Sequence, residues 1–324
     1  MKLADVQVLE ESAAPPDAGV CPACRQARVT PLLRAPDRFH GKSVPYQLAK
    51  CENCDLVWLA DPPSPAEMGE HYGADYDRAI AGAGDSSPDR WKARLDALTQ
   101  FKTSGRILDL GCSSGSFLAS LPRDRWQLHG IEMSAKVAEQ AKARSNAEVF
   151  IGDILDAPFP ADSFDAITCF HVFEHIYQPR EVLEKVRYWL KPGGIFYFLV
   201  PNIDSAAAKV FKSYWYALEL PRHLFHYSPA SLRYLANAAG FAVLSLKTER
   251  EVFFEISSRY LFDALLSRAG IDRSPLAKAG KPSLPFRVVR KAFRLTALPA
   301  IDAVIGMAGD KESVHAVFAK NAGE

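Results

Sequence analysis

The chain has 324 residues, a formal net charge of +1, 24% charged and 48% hydrophobic residues, and a mean hydropathy of −0.09. That leaves room for one large domain plus a small module with a buried core, and the balanced charge argues against a dedicated nucleic-acid binder. No run of about 18 apolar residues is present to span a bilayer, and residues 1–19 carry Asp5, Glu10, Glu11 and Asp17 with no apolar centre of a secretion signal, so a cytoplasmic protein is expected.

Residues 1–19 end in Ala13-Ala14-Pro15-Pro16-Asp17-Ala18-Gly19 and are expected to be a flexible leader. A compact module at 20–60 follows, with Cys21-Pro22-Ala23-Cys24 at one end and Cys51-Glu52-Asn53-Cys54 at the other. Each pair forms a knuckle, and four thiolates give the closed tetrahedral site that zinc favours, so Cys21, Cys24, Cys51 and Cys54 are expected to hold a structural zinc in a small ribbon. Reduced pairs without metal, or a redox pair, are the alternatives. Cys112 and Cys169 fall in apolar runs that read as core. Residues 61–102 read as a linker with lid helices: Pro62, Pro63 and Pro65 form a hinge, Tyr72 and Tyr76 follow, and Trp91, Leu95, Leu98 and Phe101 recur at helical spacing.

From 103 to 324 strands and helices alternate. Arg106–Leu110, Gln127–Ile131, Glu148–Ile151, Ala166–Phe170 and Ile195–Val200 are short apolar runs closed by turn residues. Helical patterns lie at Ser116–Leu121, Ser134–Arg144, Pro179–Leu190 and Ser228–Ala239, and two more strands at Phe241–Lys247 and Ser313–Ala319. The alternation predicts an α/β, Rossmann-like sheet with helices on both faces.

The first of these strands ends in Asp109, and the small-residue bend Gly111-Cys112-Ser113-Ser114-Gly115 then opens a helix. Small residues let backbone approach a ligand, and the helix start offers free N–H groups. A nicotinamide dehydrogenase would carry Gly-x-Gly-x-x-Gly, a register this bend departs from. Glu132 closes the second strand, where a carboxylate can accept from both hydroxyls of a ribose. Asp153 closes the third, placed for an adenine amine.

Asp-Leu-Gly-Cys-Ser-Ser-Gly at 109–115, Gly130-Ile131-Glu132, Gly152-Asp153-Ile154, Phe164-Asp165-Ala166-Ile167, Val172-Phe173-Glu174-His175-Ile176 and Leu190-Lys191-Pro192-Gly193-Gly194 resemble the ordered motifs of class I S-adenosyl-L-methionine (SAM)-dependent methyltransferases. The resemblance implies SAM as cofactor, with Asp109 and Gly111 near its methionine part, Glu132 on the ribose, Asp153 and Ile154 at the adenine, and Phe170 and His171 as a wall beside the methyl group. Cys112, Ser113, Gly115 and Met133 complete the candidate cofactor set. A cysteine ribbon ahead of such a domain is similar to bacterial ubiquinone-type methylases and deoxysugar C-methyltransferases, whose zinc module precedes a Tyr-bearing lid.

Methyl transfer from a sulfonium needs alignment above all, and a base only where the acceptor must lose a proton. Tyr214 to Pro229 follows the fifth strand, where such enzymes bind acceptors. In the sugar enzymes a histidine of a similar loop is the base, which makes His223 the matching candidate; a glutamate precedes it there, whereas Arg222 does here. Tyr76 and His175 complete the candidate catalytic set, His175 also being placed to orient. Tyr72, Tyr214, Trp215, Arg222 and His226 are the candidate acceptor residues, with Arg222 able to grip a carboxylate or phosphate. Packing or capping is the plainer role for each.

An insertion is expected at about 251–310. Residues 264–301 hold eight Lys or Arg against one acid, Asp272, and Arg287, Arg290, Lys291 and Arg294 share one helical face. Such a face could rest peripherally on an anionic membrane or meet a lipid-linked acceptor; a solvated surface is the plainer reading. The expected activity is therefore methyl transfer to carbon or oxygen of a small-molecule, sugar or lipid-linked acceptor, without nucleic acid. An RNA methyltransferase whose ribbon reads RNA, and a non-catalytic SAM-binding protein, are the competing classes.

Overall fold

Two sheets organise the chain, a four-stranded one at the N-terminal side and a seven-stranded one beyond it. The structure, a computed structural model, describes residues 19–72, 88–268, 291, 296 and 311–321. Tyr76 and most of the basic stretch, including Arg287, Arg290 and Arg294, lie outside them.

The small sheet is built from β1 (Val29–Pro36), β2 (Pro45–Cys51) and β3 (Val57–Leu59), paired antiparallel in that order. Its fourth strand comes from far along the chain. β9 (Phe225–His226) pairs antiparallel with β3, setting Phe225 opposite Trp58 and His226 opposite Val57. Nothing in the sequence pattern announces this, because a two-residue strand has no periodicity to read.

After α1 (Pro65–Met68) and α2 (Pro88–Thr99), the large sheet runs through β4 (Gly105–Leu110), β5 (Trp126–Glu132), β6 (Glu148–Ile151), β7 (Phe164–Phe170), β8 (Leu190–Pro201), β10 (Phe241–Glu249) and β11 (Ser313–Lys320). Their spatial order is β10-β11-β8-β7-β4-β5-β6. β4, β5, β6, β7 and β8 are parallel, and β11 is antiparallel to both its neighbours. The chain builds outward from β4 to β6 and then crosses to the other flank of β4 for β7. The tips of β4 and β7 thus form a topological switch point, where open α/β sheets bind ligands.

The intervening helices are α3 (Ser116–Ser120), α4 (Ala135–Ser145), α5 (Pro179–Trp189), α6 (Ala206–Phe211), α7 (Pro229–Ala238) and α8 (Phe253–Arg268). Ser134 caps α4 by accepting from the Val137 amide, and Asn146 closes it in the left-handed conformation. β8 shows why the sheet needs two helical layers: Phe196, Phe198 and Val200 enter one core, while Ile195, Tyr197 and Leu199 enter the other, all buried. Among the described residues no helix is long and apolar enough to cross a membrane.

Candidate functional site

Between β4 and α3 the backbone turns tightly. Gly111, Ser113 and Gly115 have φ of +67°, +49° and +76°. A Cβ on Gly111 would stand 2.6 Å from Cγ2 of Val172, and one on Gly115 2.9 Å from Cα of Ala141, so each glycine is required by both angle and space. Cys112 is buried under the bend. Glu132, at the tip of β5, accepts from the Ser113 amide at 3.1 Å and the Ser134 amide at 2.9 Å. Its carboxylate therefore fastens the bend to the start of α4. Asp153, at the tip of β6, accepts from the Leu155 amide at 2.8 Å and caps the short turn Ile154–Asp156. Met133 is 74% exposed. The candidate cofactor residues thus line the successive tips of β4, β5 and β6, with Phe170 and His171 at the tip of β7.

Asp109 is buried on β4, opposite Thr168 of β7, whose hydroxyl donates to it at 2.7 Å. Burial pushes the Asp109 carboxyl up to about 7, against the pull of Thr168 and of the Arg94 charge. Arg94 is a residue the sequence reading did not single out. It projects from α2 into the core, 5% exposed, with its guanidinium 4.6 Å from the Phe170 ring centroid and 4.7 Å from that of Trp91. Burial lowers it to about 10, so it remains a cation. A signal existed: Arg94 sits on the apolar stripe of α2 with Trp91, Leu95 and Leu98, where a charge calls for a partner.

The second half of the site gathers around the tip of β7. His171 has φ +55°, and its Nδ1 lies 3.5 Å from Glu174. Glu174 is wholly buried, and neither carboxylate oxygen has a hydrogen-bond partner. The His175 and His223 rings meet edge to face at 4.7 Å between centroids. Ligand atoms of Glu174, His175 and His223 lie within 4.8 Å of one another, close enough to ligate one divalent cation. His223 Nδ1 is 2.8 Å from the Ala217 carbonyl; a carbonyl only accepts, so Nδ1 carries the hydrogen and Nε2 the lone pair. That Nε2 faces Glu219 at 3.5 Å. His175 Nδ1 faces the Arg222 carbonyl at 3.0 Å and the Tyr72 hydroxyl at 2.9 Å. Burial pushes His171, His175 and His223 down to about 4 and Glu174 up. The resting cluster is thus three neutral imidazoles around a carboxyl group.

The other candidate acceptor residues lie apart from this cluster or beneath it. Tyr214 carries the Arg38 guanidinium 3.8 Å above its ring. Trp215 is core, and His226 is buried with neither ring nitrogen hydrogen-bonded. Arg222 is wholly buried rather than open to a ligand: its guanidinium meets Glu219 at 3.3 Å and Asp37 at 3.5 Å.

At the ribbon end, Cys21 and Cys54 sulfurs are 3.5 Å apart, those of Cys24 and Cys51 3.4 Å, and all four lie within 4.8 Å of one another. Arg25 and Asp55, each following the second cysteine of a pair, take φ of +58° and +63°, so both pairs make the same knuckle. Contact with the Cys54 thiol brings Cys21 down to about 5, while that contact and burial push Cys54 up. Four sulfurs crowded this closely fit a tetrahedral zinc ion, which would hold all four as thiolates.

A family model described as a methyltransferase domain matches residues 85–246. A ubiquinone biosynthesis O-methyltransferase of Paraburkholderia phymatum is 31% identical over 158 residues, spanning 45% of this chain and 68% of that protein. Its counterpart in Coxiella burnetii is 26% identical over 180 residues, spanning 48% and 74%. A solved chain of the Haloferax volcanii complex between the Trm112 methyltransferase activator and a methyltransferase overlays with a TM-score of 0.49 at 19% identity, covering 76% of this chain and 95% of that one.

Proposed function

Because the chain belongs to the methyltransferase-domain family, a class I SAM-dependent enzyme group, we propose that it methylates a hydroxyl oxygen of a small-molecule acceptor bound between the β4 bend and the His223 loop. The relatives named for ubiquinone biosynthesis support oxygen as the atom; an acidic carbon is the other atom this chemistry suits. The observation that carries the reading is contact between the two halves of the site: Val172, whose methyls close on Gly111, precedes Glu174 and His175 by only two and three positions.

SAM supplies a methyl group on a sulfonium that leaves as a neutral thioether, so alignment matters more than an anion-stabilising pocket. Glu132 would accept from the ribose hydroxyls, Asp153 from the adenine amine, and Arg94, whose charge is felt at Asp109, would receive the carboxylate of the methionine part. Phe170 and His171 would wall the methyl group. On the acceptor side His223 is placed as general base. Its Nε2 takes the hydroxyl proton, and the imidazolium so formed is held by Glu219 at 3.5 Å and by buried Glu174. Tyr72 and His175 orient the acceptor, and the four cysteines would hold a structural zinc.

The test is a screen with methyl-labelled SAM over hydroxylated aromatics, quinone precursors, sugar nucleotides and lipid-linked saccharides. Label is expected in at least one acceptor hydroxyl. His223→Gln is expected to lower kcat by about 10²- to 10⁴-fold with affinity for S-adenosylhomocysteine unchanged. No labelled acceptor in any class, or a His223→Gln enzyme at the parent rate, overturns the proposal.

A further inference from the structure

We propose that the cysteine ribbon is a working part of the acceptor half-site, and that Asp37 and Arg222 are the positioning pair through which it fixes His223; for the role of His223 this rests on the reading above. Asp37 follows the last residue of β1 and is completely buried. Its carboxylate accepts from the His40 amide at 3.1 Å and contacts His40 Nδ1 at 2.9 Å, His71 Nδ1 at 3.6 Å and the Arg222 guanidinium at 3.5 Å. Burial works against this carboxylate, yet Arg222 and His40 keep it below the usual range. Arg222 is equally buried, stacks 5.0 Å from the Phe39 ring and meets Glu219, the residue that faces His223. The ribbon thus places one charge, and the loop carrying the candidate base answers it with the opposite one.

A second contact tightens the joint on the other side of His223. The Leu59 amide donates to the Leu224 carbonyl at 2.8 Å, continuing the β3–β9 pairing. The Leu224 amide in turn donates to the Glu174 carbonyl at 2.8 Å. Further on, Ser228, which caps α7, donates its hydroxyl to Asp55 at 3.2 Å; Asp55 directly follows Cys54. His223 is therefore flanked on both sides by residues bonded to the ribbon, Arg222 to Asp37 between the two cysteine pairs and Leu224 to Leu59 beyond the second pair. Among the described residues the hydrogen bonds of Glu132 and Asp153 run to Ser113, Ser134 and Leu155, not to the ribbon.

That division sets the experiment, run on the zinc-loaded full chain. Asp37→Asn keeps the shape and removes the charge that Arg222 answers. Amide hydrogen exchange across 219–228 is expected to rise at least tenfold. The His223 ring, seen by nitrogen NMR, is expected to lose the single Nδ1–H tautomer held by Ala217. S-adenosylhomocysteine affinity is expected to stay within about twofold, with one zinc per chain retained. If Asp37→Asn is recovered only as aggregate, Arg222→Lys replaces it, keeping the charge while losing the planar fork. Unchanged exchange and an unchanged His223 tautomer overturn the proposal, as does loss of cofactor affinity in step with loop protection, which would make the pair a global stabiliser. None of these readouts needs an acceptor, so a failure of the base assignment is seen separately in His223→Gln turnover.

Discussion

Thr168 donates its hydroxyl to Asp109 at 2.7 Å, across the seam where β7 pairs with β4. Thr168→Val keeps the shape and deletes the donor, leaving a buried carboxyl oxygen without it. The variant is expected to lose about 1–3 kcal/mol of stability, read as a lower denaturation midpoint, and to move the Asp109 carboxyl above about 7. An unchanged midpoint would show that water or Arg94 replaces the hydroxyl.

Glu132 binds two amides of the protein itself, those of Ser113 and Ser134. Glu132→Ala removes both and the proposed ribose contact at one stroke. The expected outcome is loss of the rise in Tm that S-adenosylhomocysteine gives the parent, equivalent to at least about tenfold in affinity. A variant that still shows the full rise would place the ribose elsewhere.

Acid is expected to weaken the fold well above the ordinary carboxylate range. Burial lowers His175, His223 and His315 from 6.5 to about 4, and His171 likewise, though the 30% exposure of its side chain makes its share smaller. For a group depressed in the folded state, stability is complete above the unfolded value and is lost as pH falls toward the folded one. Each full shift of this size is worth roughly 3 kcal/mol at most. Asp109 and Glu174, both raised by burial, act in the opposite sense, losing stability as pH rises. With His71, His129 and His226 also lowered by burial, the imidazoles outweigh the two carboxyls, so Tm should fall by about 10 °C between pH 7 and pH 5. A flat or rising profile on acidification would mean that the histidine cluster is already charged or hydrated.

Metal analysis is expected to give one zinc per chain. A thiol reagent should find Cys21, Cys24, Cys51 and Cys54 protected in the native protein and reactive after chelation, with Tm lowered by more than about 10 °C. Cys112 and Cys169 are buried in the core and should stay protected until the chain unfolds. Four reactive thiols before chelation would rule out a closed metal site.

Much of this architecture was legible in the residues. The bend at 111–115, the acids closing β4, β5 and β6, and the strand runs were readable because each is local: a period of two, a cap, a required glycine. The expected helix at Ser134–Arg144 appears as Ala135–Ser145, with Ser134 as its cap. What escaped was non-local. Arg94 comes from a helix ahead of the sheet to stack on Phe170 and lend its charge to Asp109, and Glu219 faces His223 only because the intervening turn folds back. Arg222 looked like an anion grip because sequence spacing cannot show that Asp37, far upstream, already occupies it.

The pairing of β3 with β9 also bears on how the molecule is made. The ribbon leaves the ribosome early, yet its sheet lacks a final strand until His226 is synthesised, ~170 residues later, a separation that slows closure. Until then Trp58 and its neighbours present an open edge to whatever else is nascent. Bound zinc would keep the two knuckles together through that interval, and a catalytic fragment cut free of the ribbon would inherit the same exposed edge from the other side.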